Sequence, residues 1–235
     1  MSVNGERSDC YPLPFGVPQG SCLGPLLLSA YASKLFEVIK LYLPNVHAFA
    51  DDTQFYLSFN PDNSLSQAEA VHAVEQCIRA IRAWMHADKL KLNENKTEVM
   101  VIGTRQQLSK FNLTTLTIGD TSVATVDNAR NLGFWFDSQL HFNVHITKTY
   151  TLSFCSRYKI RRIGKYLSHK SAQTLILVLV IGRLDYCNSL LYGLPASYIN
   201  KLQRVQNAAA RLISNTTRFD HISPVMKDLH WLPVK

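Results

Sequence analysis

The sequence predicts an α+β fold, strand-rich in its first part and helical in its last. Three observations carry this. Val46, Ala48 and Ala50 alternate with His47 and Phe49, and Thr53, Phe55, Leu57 and Phe59 alternate with Gln54, Tyr56 and Ser58, the period-two pattern of paired strands. From residue 65 to about residue 87, Leu65, Ala68, Val71, Val74, Ile78, Ile81 and Met85 recur instead at helical spacing. After Ser138 the strand signals cease and long helical periodicities follow. With 46% hydrophobic residues over 235 positions, the chain can bury a core and is too apolar for global disorder.

In chain order, a short polar lead, Asn4-Gly5-Glu6-Arg7-Ser8-Asp9, precedes the loop Gly16-Val17-Pro18-Gln19-Gly20-Ser21, which runs at once into Cys22-Leu23-Gly24-Pro25-Leu26-Leu27-Leu28. Gly16, Gly20 and Gly24 permit close approach of a backbone or a ligand, and Pro18 and Pro25 stiffen the path. Gln19 is the one long polar side chain there, and Ser21 is placed to cap a helix ending near Leu41. The strand pair follows as a hairpin with Asp51 and Asp52 at its tip. The amphipathic helix comes next, with Ser66 and Glu69 as a capping box and Glu75/Arg79 as a favourable i,i+4 pair. Residues 98–103 read as a strand ending at Gly103, 113–118 and 123–126 as a hairpin around Gly119-Asp120, and 132–136 as a short strand. Helices are predicted over 142–163, 170–184 and 197–214, with Pro195 and Pro224 marking turns or helix starts. No internal repeat or low-complexity stretch interrupts this order.

Charge is distributed unevenly. Residues 1–100 hold eight Lys/Arg against eleven Asp/Glu, a net −3, whereas residues 101–235 hold 17 against six, a net +11. No acidic residue lies between Ser138 and Leu184, where Lys148, Arg157, Lys159, Arg161, Arg162, Lys165, Lys170 and Arg183 are all basic. Such a strip attracts a phosphate backbone by releasing counterions, independent of base sequence. Tyr150, Phe154, Tyr158 and Tyr166 lie among these charges; at helical spacing such aromatics read as core before they read as stacking platforms. The five cysteines show no Cys-x-x-Cys spacing, so neither a zinc site nor a disulfide framework is indicated. The longest apolar run, residues 175–181, is far short of the roughly 20 residues of a membrane span. The expectation is a soluble intracellular protein, in the nucleus and/or the cytoplasm, with no membrane partner.

Two adjacent carboxylates at a tight turn converge on a small volume, and their repulsion is relieved by a hard, oxygen-seeking cation such as Mg²⁺ or Mn²⁺. Asp is also common in turns simply because it bonds local backbone, and the Pro-Gln-Gly loop by itself suits an ordinary strand-to-helix turn. The combination narrows these readings. Gly16-Val-Pro-Gln-Gly-Ser-Cys-Leu-Gly-Pro-Leu-Leu28, then Phe49-Ala-Asp-Asp52, Trp84-Met85, Leu90-Lys-Leu-Asn93, Lys96-Thr97, Asn131-Leu-Gly133, Leu184-Asp-Tyr-Cys-Asn188 and Leu229-His-Trp-Leu-Pro233 resemble, in order, the reverse transcriptases of non-LTR (LINE-type) retrotransposons, in the jockey and chicken-repeat group. Tyr31-Ala-Ser-Lys-Leu35 departs from the Tyr-Ile-Asn-Asp-Leu of many relatives.

The resemblance implies an incomplete palm over residues 1–138, an antiparallel sheet backed by helices, and a basic, helical, truncated thumb over 139–235. It implies an RNA-directed DNA polymerase working by two-metal nucleotidyl transfer on an RNA template, a DNA primer and a dNTP. Asp51 and Asp52 match the carboxylates that hold Mg²⁺ or Mn²⁺. Pro18, Gln19, Gly20 and Ser21 match the loop at the incoming nucleotide and template. Lys96 matches a lysine near the leaving pyrophosphate, although an exposed lysine after a helix also serves as a plain solvated charge. Leu132 and Gly133 match the primer-gripping turn, where a glycine between strands also reads as a simple bend. Lys148, Arg157, Lys159, Arg161, Arg162 and Lys165 are the candidates for backbone contact. The family's third carboxylate lies on an earlier strand, and only Glu6 and Asp9 precede Gly16 here. The expectation is therefore an inactive isolated chain whose missing N-terminal polymerase segment is supplied in cis or in trans. The alternatives are a nucleic-acid-binding remnant or an interaction protein of a decayed element.

Overall fold

A computed structural model of the chain describes residues 2–3, 6–7, 20–90, 92–111, 113–118 and 121–234. Its elements, in order, are β1 (Ser2–Val3), β2 (Glu6–Arg7), α1 (Gly24–Lys40), β3 (Asn45–Phe49), β4 (Asp52–Tyr56), α2 (Ser64–Ala87), α3 (Arg105–Leu108), β5 (Thr115–Ile118), β6 (Thr121–Ala124), β7 (Asn128–Asn131) and β8 (Phe134–Asp137). Helices α4 (Asn143–Ile163), α5 (His169–Ile176), α6 (Gly182–Asp185), α7 (Ala196–Ser214) and α8 (Ile222–Asp228) complete the order. Among the described residues the strands pair as four separate antiparallel two-stranded sheets, so the fold is α+β. The chain packs as two compact units, Met1–Thr97 with Lys110–Ala124, and Glu98–Ser109 with Thr125–Lys235.

In the first unit, α1 and α2 bury Leu35, Ile39, Leu43, Cys77 and Ile81 together. The hairpin β3–β4 closes this core from one face only: Val46 and Phe55, directly opposite in the register, pack inward with Leu57. Helix α2 starts one residue before its expected position because Asn63 caps it, its side chain accepting from the Leu65 and Ser66 amides at 2.9 and 3.4 Å. The expected Ser66/Glu69 capping box is thereby displaced, and the Ser66 hydroxyl accepts from the Asn60 amide instead. Arg79 bonds the Glu75 carbonyl oxygen at 3.4 Å through its Nε. Ser21 stands ahead of α1, accepting from the Leu23 amide, while Leu23 occupies the N-cap without a side-chain bond, so the expected Ser21 cap is corrected to a preceding turn. The first turns of α1 leave Leu23, Leu26 and Leu27 more than half exposed.

In the second unit, α4 lies against α7 and the α5–α6 segment around Ile146, Ile160, Ile176, Val180, Leu202 and Val205, all nearly free of solvent. Each such residue contributes about 1.5–3 kcal/mol by burial, which makes this core the main anchor of the unit. Phe134 and Phe142 join it edge to face at 5.2 Å, so α4 begins at a buried ring and without a capping side chain. Between α5 and α6 the same helix widens to a π-helix over Leu177–Ile181. The strand expected over residues 98–103 does not form: Val99 makes one isolated bridge to Thr125, and the Gly103 amide bonds the Ser138 carbonyl at 2.9 Å. The strand expected over 132–136 begins instead at Phe134, because Leu132 and Gly133 form the turn that pairs it with β7. Gly119 and Asp120, between β5 and β6 in the sequence, lie outside the described residues.

Candidate functional site

The tip of β3–β4 is a two-residue turn, since Phe49 pairs with Asp52 and leaves only Ala50 and Asp51 between the strands. Ala50 has φ 55° and Asp51 a negative φ, the sign pattern of a type II′ turn, which carries the right-handed twist of the strands through the bend. Glycine is the ordinary first residue of such a turn, so Ala50 stores local strain there. Both Asp51 and Asp52 are exposed. Residues opposite one another share a face, and Asp52 therefore stands on the solvent face with Phe49, His47, Gln54 and Tyr56. On that face the His47 and Tyr56 rings stack at 5.8 Å, with His47 Nε2 3.3 Å from the Tyr56 hydroxyl. Sequence reading had singled out only the acids; counting in twos from Asp52 would have found this pair.

Gly20 and Ser21 lie before α1. Gly20 takes φ +89°, where a side chain is strained, and among the described residues no atom lies within 4 Å of where a Cβ would stand. Pro18 and Gln19 lie outside the described residues. Lys96 ends a 3₁₀ turn, Glu94–Lys96, and is exposed, its amide bonding the Asn93 carbonyl at 3.1 Å. Asp51, Asp52, Gly20, Ser21 and Lys96 all belong to the first unit. Among the described residues no group of three or more His, Cys, Asp or Glu side chains gathers to hold an ion. The Asp51–Asp52 pair nevertheless has the right donor chemistry for a cation that takes one or two carboxylates and completes its shell with water and substrate phosphates.

The second unit carries the other candidates. Leu132 (φ 47°) and Gly133 (φ 89°) are both left-handed, the type I′ pattern. The Tyr186 hydroxyl donates to the Leu132 carbonyl, and its ring lies 3.6–3.9 Å from where a Gly133 Cβ would be. On α4, Lys148, Lys159 and Arg162 are exposed and fall on one face, at offsets that 3.6 residues per turn bring into line. The Lys148 ammonium sits 3.4 Å over the Trp135 ring, and Trp135 stands opposite Arg130 across the β7–β8 pair. Arg157 turns inward: half-buried, it stacks on Phe154 at 5.0 Å. Burial first, then Arg161 beside it, lowers its proton affinity. Arg161 and Lys165 are exposed, and Lys165 lies 4.8 Å from the Tyr166 ring. The four aromatics divide evenly: Tyr150 and Phe154 pack against the core, while Tyr158 and Tyr166 are 60% and 78% exposed, each beside a cation. No helix among the described residues is long and apolar enough to cross a membrane.

A family profile described as reverse transcriptase (RNA-dependent DNA polymerase) matches residues 2–136. Among curated proteins, the chain is 24% identical over 240 residues to the RNA-directed DNA polymerase from mobile element jockey of Drosophila melanogaster, covering 97% of the chain and 25% of that protein. It is 26% identical over 227 residues to the probable RNA-directed DNA polymerase from transposon BS of the same organism (92% of the chain, 24% of that protein). The corresponding protein from transposon X-element is 26% identical over 222 residues, covering 91% of the chain and 23% of that protein. The chain spans about a quarter of the length of these relatives. No solved structure gives a significant match.

Proposed function

From the premise that the chain belongs to the reverse transcriptase (RNA-dependent DNA polymerase) family, whose profile covers more than half of it, we propose that it is the palm-and-thumb part of a non-LTR retrotransposon polymerase. The observation that carries this reading is the exposed Asp51–Asp52 tip on a hairpin clamped to α1 and α2 by Val46 and Phe55. Asp51 and Asp52 would hold the Mg²⁺ or Mn²⁺ of nucleotidyl transfer. When bound, that ion supplies activation of the primer 3′-hydroxyl and offsets charge on the phosphate in the transition state.

The chain's own residues orient the reactants. The anchored hairpin base keeps the two carboxylates in place without reorganisation at the moment of reaction. The left-handed Gly20, with no described atom beside it, leaves room for a base pair next to Ser21 at the entry to α1, and Pro18 and Gln19 complete the same sequence motif. Lys96, exposed and cationic, stands as the candidate proton donor to the leaving pyrophosphate. Leu132 and Gly133 contact the primer. Lys148, Lys159 and Arg162 track the phosphate backbone, with Arg161 and Lys165 at the same helix end and Arg157 buttressing it from inside. Asp51 and Asp52 complete a metal shell only with further oxygen donors, from substrate, water or a carboxylate beyond the described residues.

Primer extension on an RNA template, by the chain supplied with the remaining polymerase segments in cis, tests this reading. Mg²⁺-dependent synthesis that Asp51→Ala abolishes is the expected result, and synthesis unchanged by Asp51→Ala overturns it. The exposed basic face of α4 also favours a second reading, in which the chain grips nucleic acid without catalysis. That reading predicts binding that weakens steeply with salt and ignores divalent metal.

A further inference from the structure

The Leu132–Gly133 turn is more strained than a hairpin requires. A type I′ turn is satisfied by Asn-Gly or Gly-Gly, yet Leu132, 46% exposed, holds a left-handed φ of 47°. That conformation is costly for a non-glycine residue. Its side chain gains little in return from burial. Strain of this kind persists only where surrounding structure holds it, and here the holder is Tyr186, 54 residues further along.

Tyr186 is itself placed rigidly. It ends α6 in extended conformation and is followed by left-handed Cys187 and a 3₁₀ turn, Asn188–Leu191. Leu184 on one side and Leu191 on the other are each 2% exposed, driven into the core of the second unit. The ring is therefore fixed by buried anchors, while its edge reaches the surface, 46% exposed. From there it makes two contacts with the same turn: the hydroxyl bonds the Leu132 carbonyl, and the ring faces Gly133, 3.6–3.9 Å from where a Cβ would stand. A Cβ there would meet the ring at ordinary contact distance, so it is the φ of +89° that calls for glycine at this position.

We propose that Tyr186 is a positioning residue that latches the Leu132–Gly133 turn in the shape that receives the primer strand. This rests on the assignment of the turn to primer contact. It gives a role to the Leu184-Asp-Tyr-Cys-Asn188 motif, which no other feature of the site absorbs. Latching by a residue anchored in the helical core couples the turn's shape to that core, so the contact made by Leu132 does not depend on the hairpin's own marginal stability.

The test uses the full chain and a primer–template whose primer carries a photo-activatable thymidine analogue at its 3′ end, with crosslinked peptides mapped after irradiation. The wild type should crosslink through the peptide containing residues 128–137. Tyr186→Phe, which keeps the ring and loses the donor, should lower that yield by about fivefold, the order set by one net hydrogen bond, and Tyr186→Ala should lower it further. Overall affinity and its salt dependence should stay within about twofold in both variants, because the α4 cations are untouched. Equal hairpin crosslinking in wild type and Tyr186→Phe overturns the latch while leaving the primer-contact reading intact. Crosslinks that map elsewhere in the wild type overturn both. Should Tyr186→Ala unfold, Tyr186→Phe still decides the question.

Discussion

Two hairpins of this protein use the same device for opposite ends. β3–β4 and β7–β8 are each joined by two residues, and each buries one face through an aromatic, Phe55 in the first and Phe134 in the second. At the first tip Asp51 in the turn and Asp52 beside it carry charge and stand exposed. At the second the apex is apolar, both φ values are positive, and a tyrosine from a distant helix end is bonded to it. The difference follows from what each tip is proposed to meet. Carboxylates that bind an ion need water-accessible oxygens and room for the ion's remaining ligands, whereas a backbone turn that receives a polymer must keep its shape unloaded.

The comparison can be broken most sharply at the acids. In a polymerase containing this chain, Asp51→Ala is expected to reduce primer extension on the order of a thousandfold, the scale of several kcal/mol of lost transition-state stabilisation. Binding of the primer–template should be unchanged, measured by fluorescence anisotropy of the same preparation. Gly133→Ala in the second turn should instead weaken primer engagement with modest loss of rate.

Truncating an aromatic in each hairpin separates them next. Phe134, 2% exposed, packs on Phe142 and on the His145 ring at 3.8 Å, and Phe134→Ala should destabilise the chain by about 3–5 kcal/mol in urea titration. Phe49, 68% exposed beside Asp52, should cost within about 0.5 kcal/mol when replaced by alanine. A comparable loss at both positions would mean that the first hairpin is more deeply packed than its exposure indicates.

The turns themselves should respond with opposite signs. Ala50→Gly relieves a left-handed alanine and should stabilise by up to about 1 kcal/mol, while Gly133→Ala should destabilise by about the same amount. Shifts in the urea midpoint at constant slope would check both.

Smallest is a pH effect confined to the second hairpin. His145 is buried under it, with its Nδ1 accepting from the Trp135 amide at 3.4 Å, and burial lowers its pKa below the ordinary 6.5. The unfolded chain therefore binds the proton first, so the stability present above about pH 6.5 should decline as pH falls toward the lower folded value and then level off. Denaturant titrations across this range, followed by tryptophan fluorescence, should show that decline, and His145→Gln should flatten it.

How much was legible depended on where each residue's partner lay. The Asp hairpin, α2, α4 and α7 were readable because their signals are periodic and local. The Asn63 cap was missed because Ser66 offered a rival cap three residues later, and Asn63 was nearer the first helical turn. Strand β7, Asn128-Ala-Arg-Asn131, carries no β-branched residue; it is a strand because Phe134–Asp137 supplies a partner across a type I′ turn. Residues 98–103 carry strong strand propensity and still form no strand: Val99 makes a single bridge to Thr125, and the Gly103 amide bonds Ser138 in the turn after β8. The basic strip was legible as a composition, but its division into an outward face and an inward Arg157 was not, since that depends on which side of α4 meets α7.

The sequence by itself determined the family, the order of the motifs and the chemistry of the Asp51–Asp52 tip, because residue type and short spacing suffice to state what oxygen donors at a tight turn can do. Only the tertiary structure decided that Tyr158 and Tyr166 stay outside while Tyr150 and Phe154 go in, and that the Tyr186 hydroxyl bonds the Leu132–Gly133 turn. Those outcomes rest on contacts between residues far apart in the chain, and the burial that selects them exists only once the two helical cores have closed.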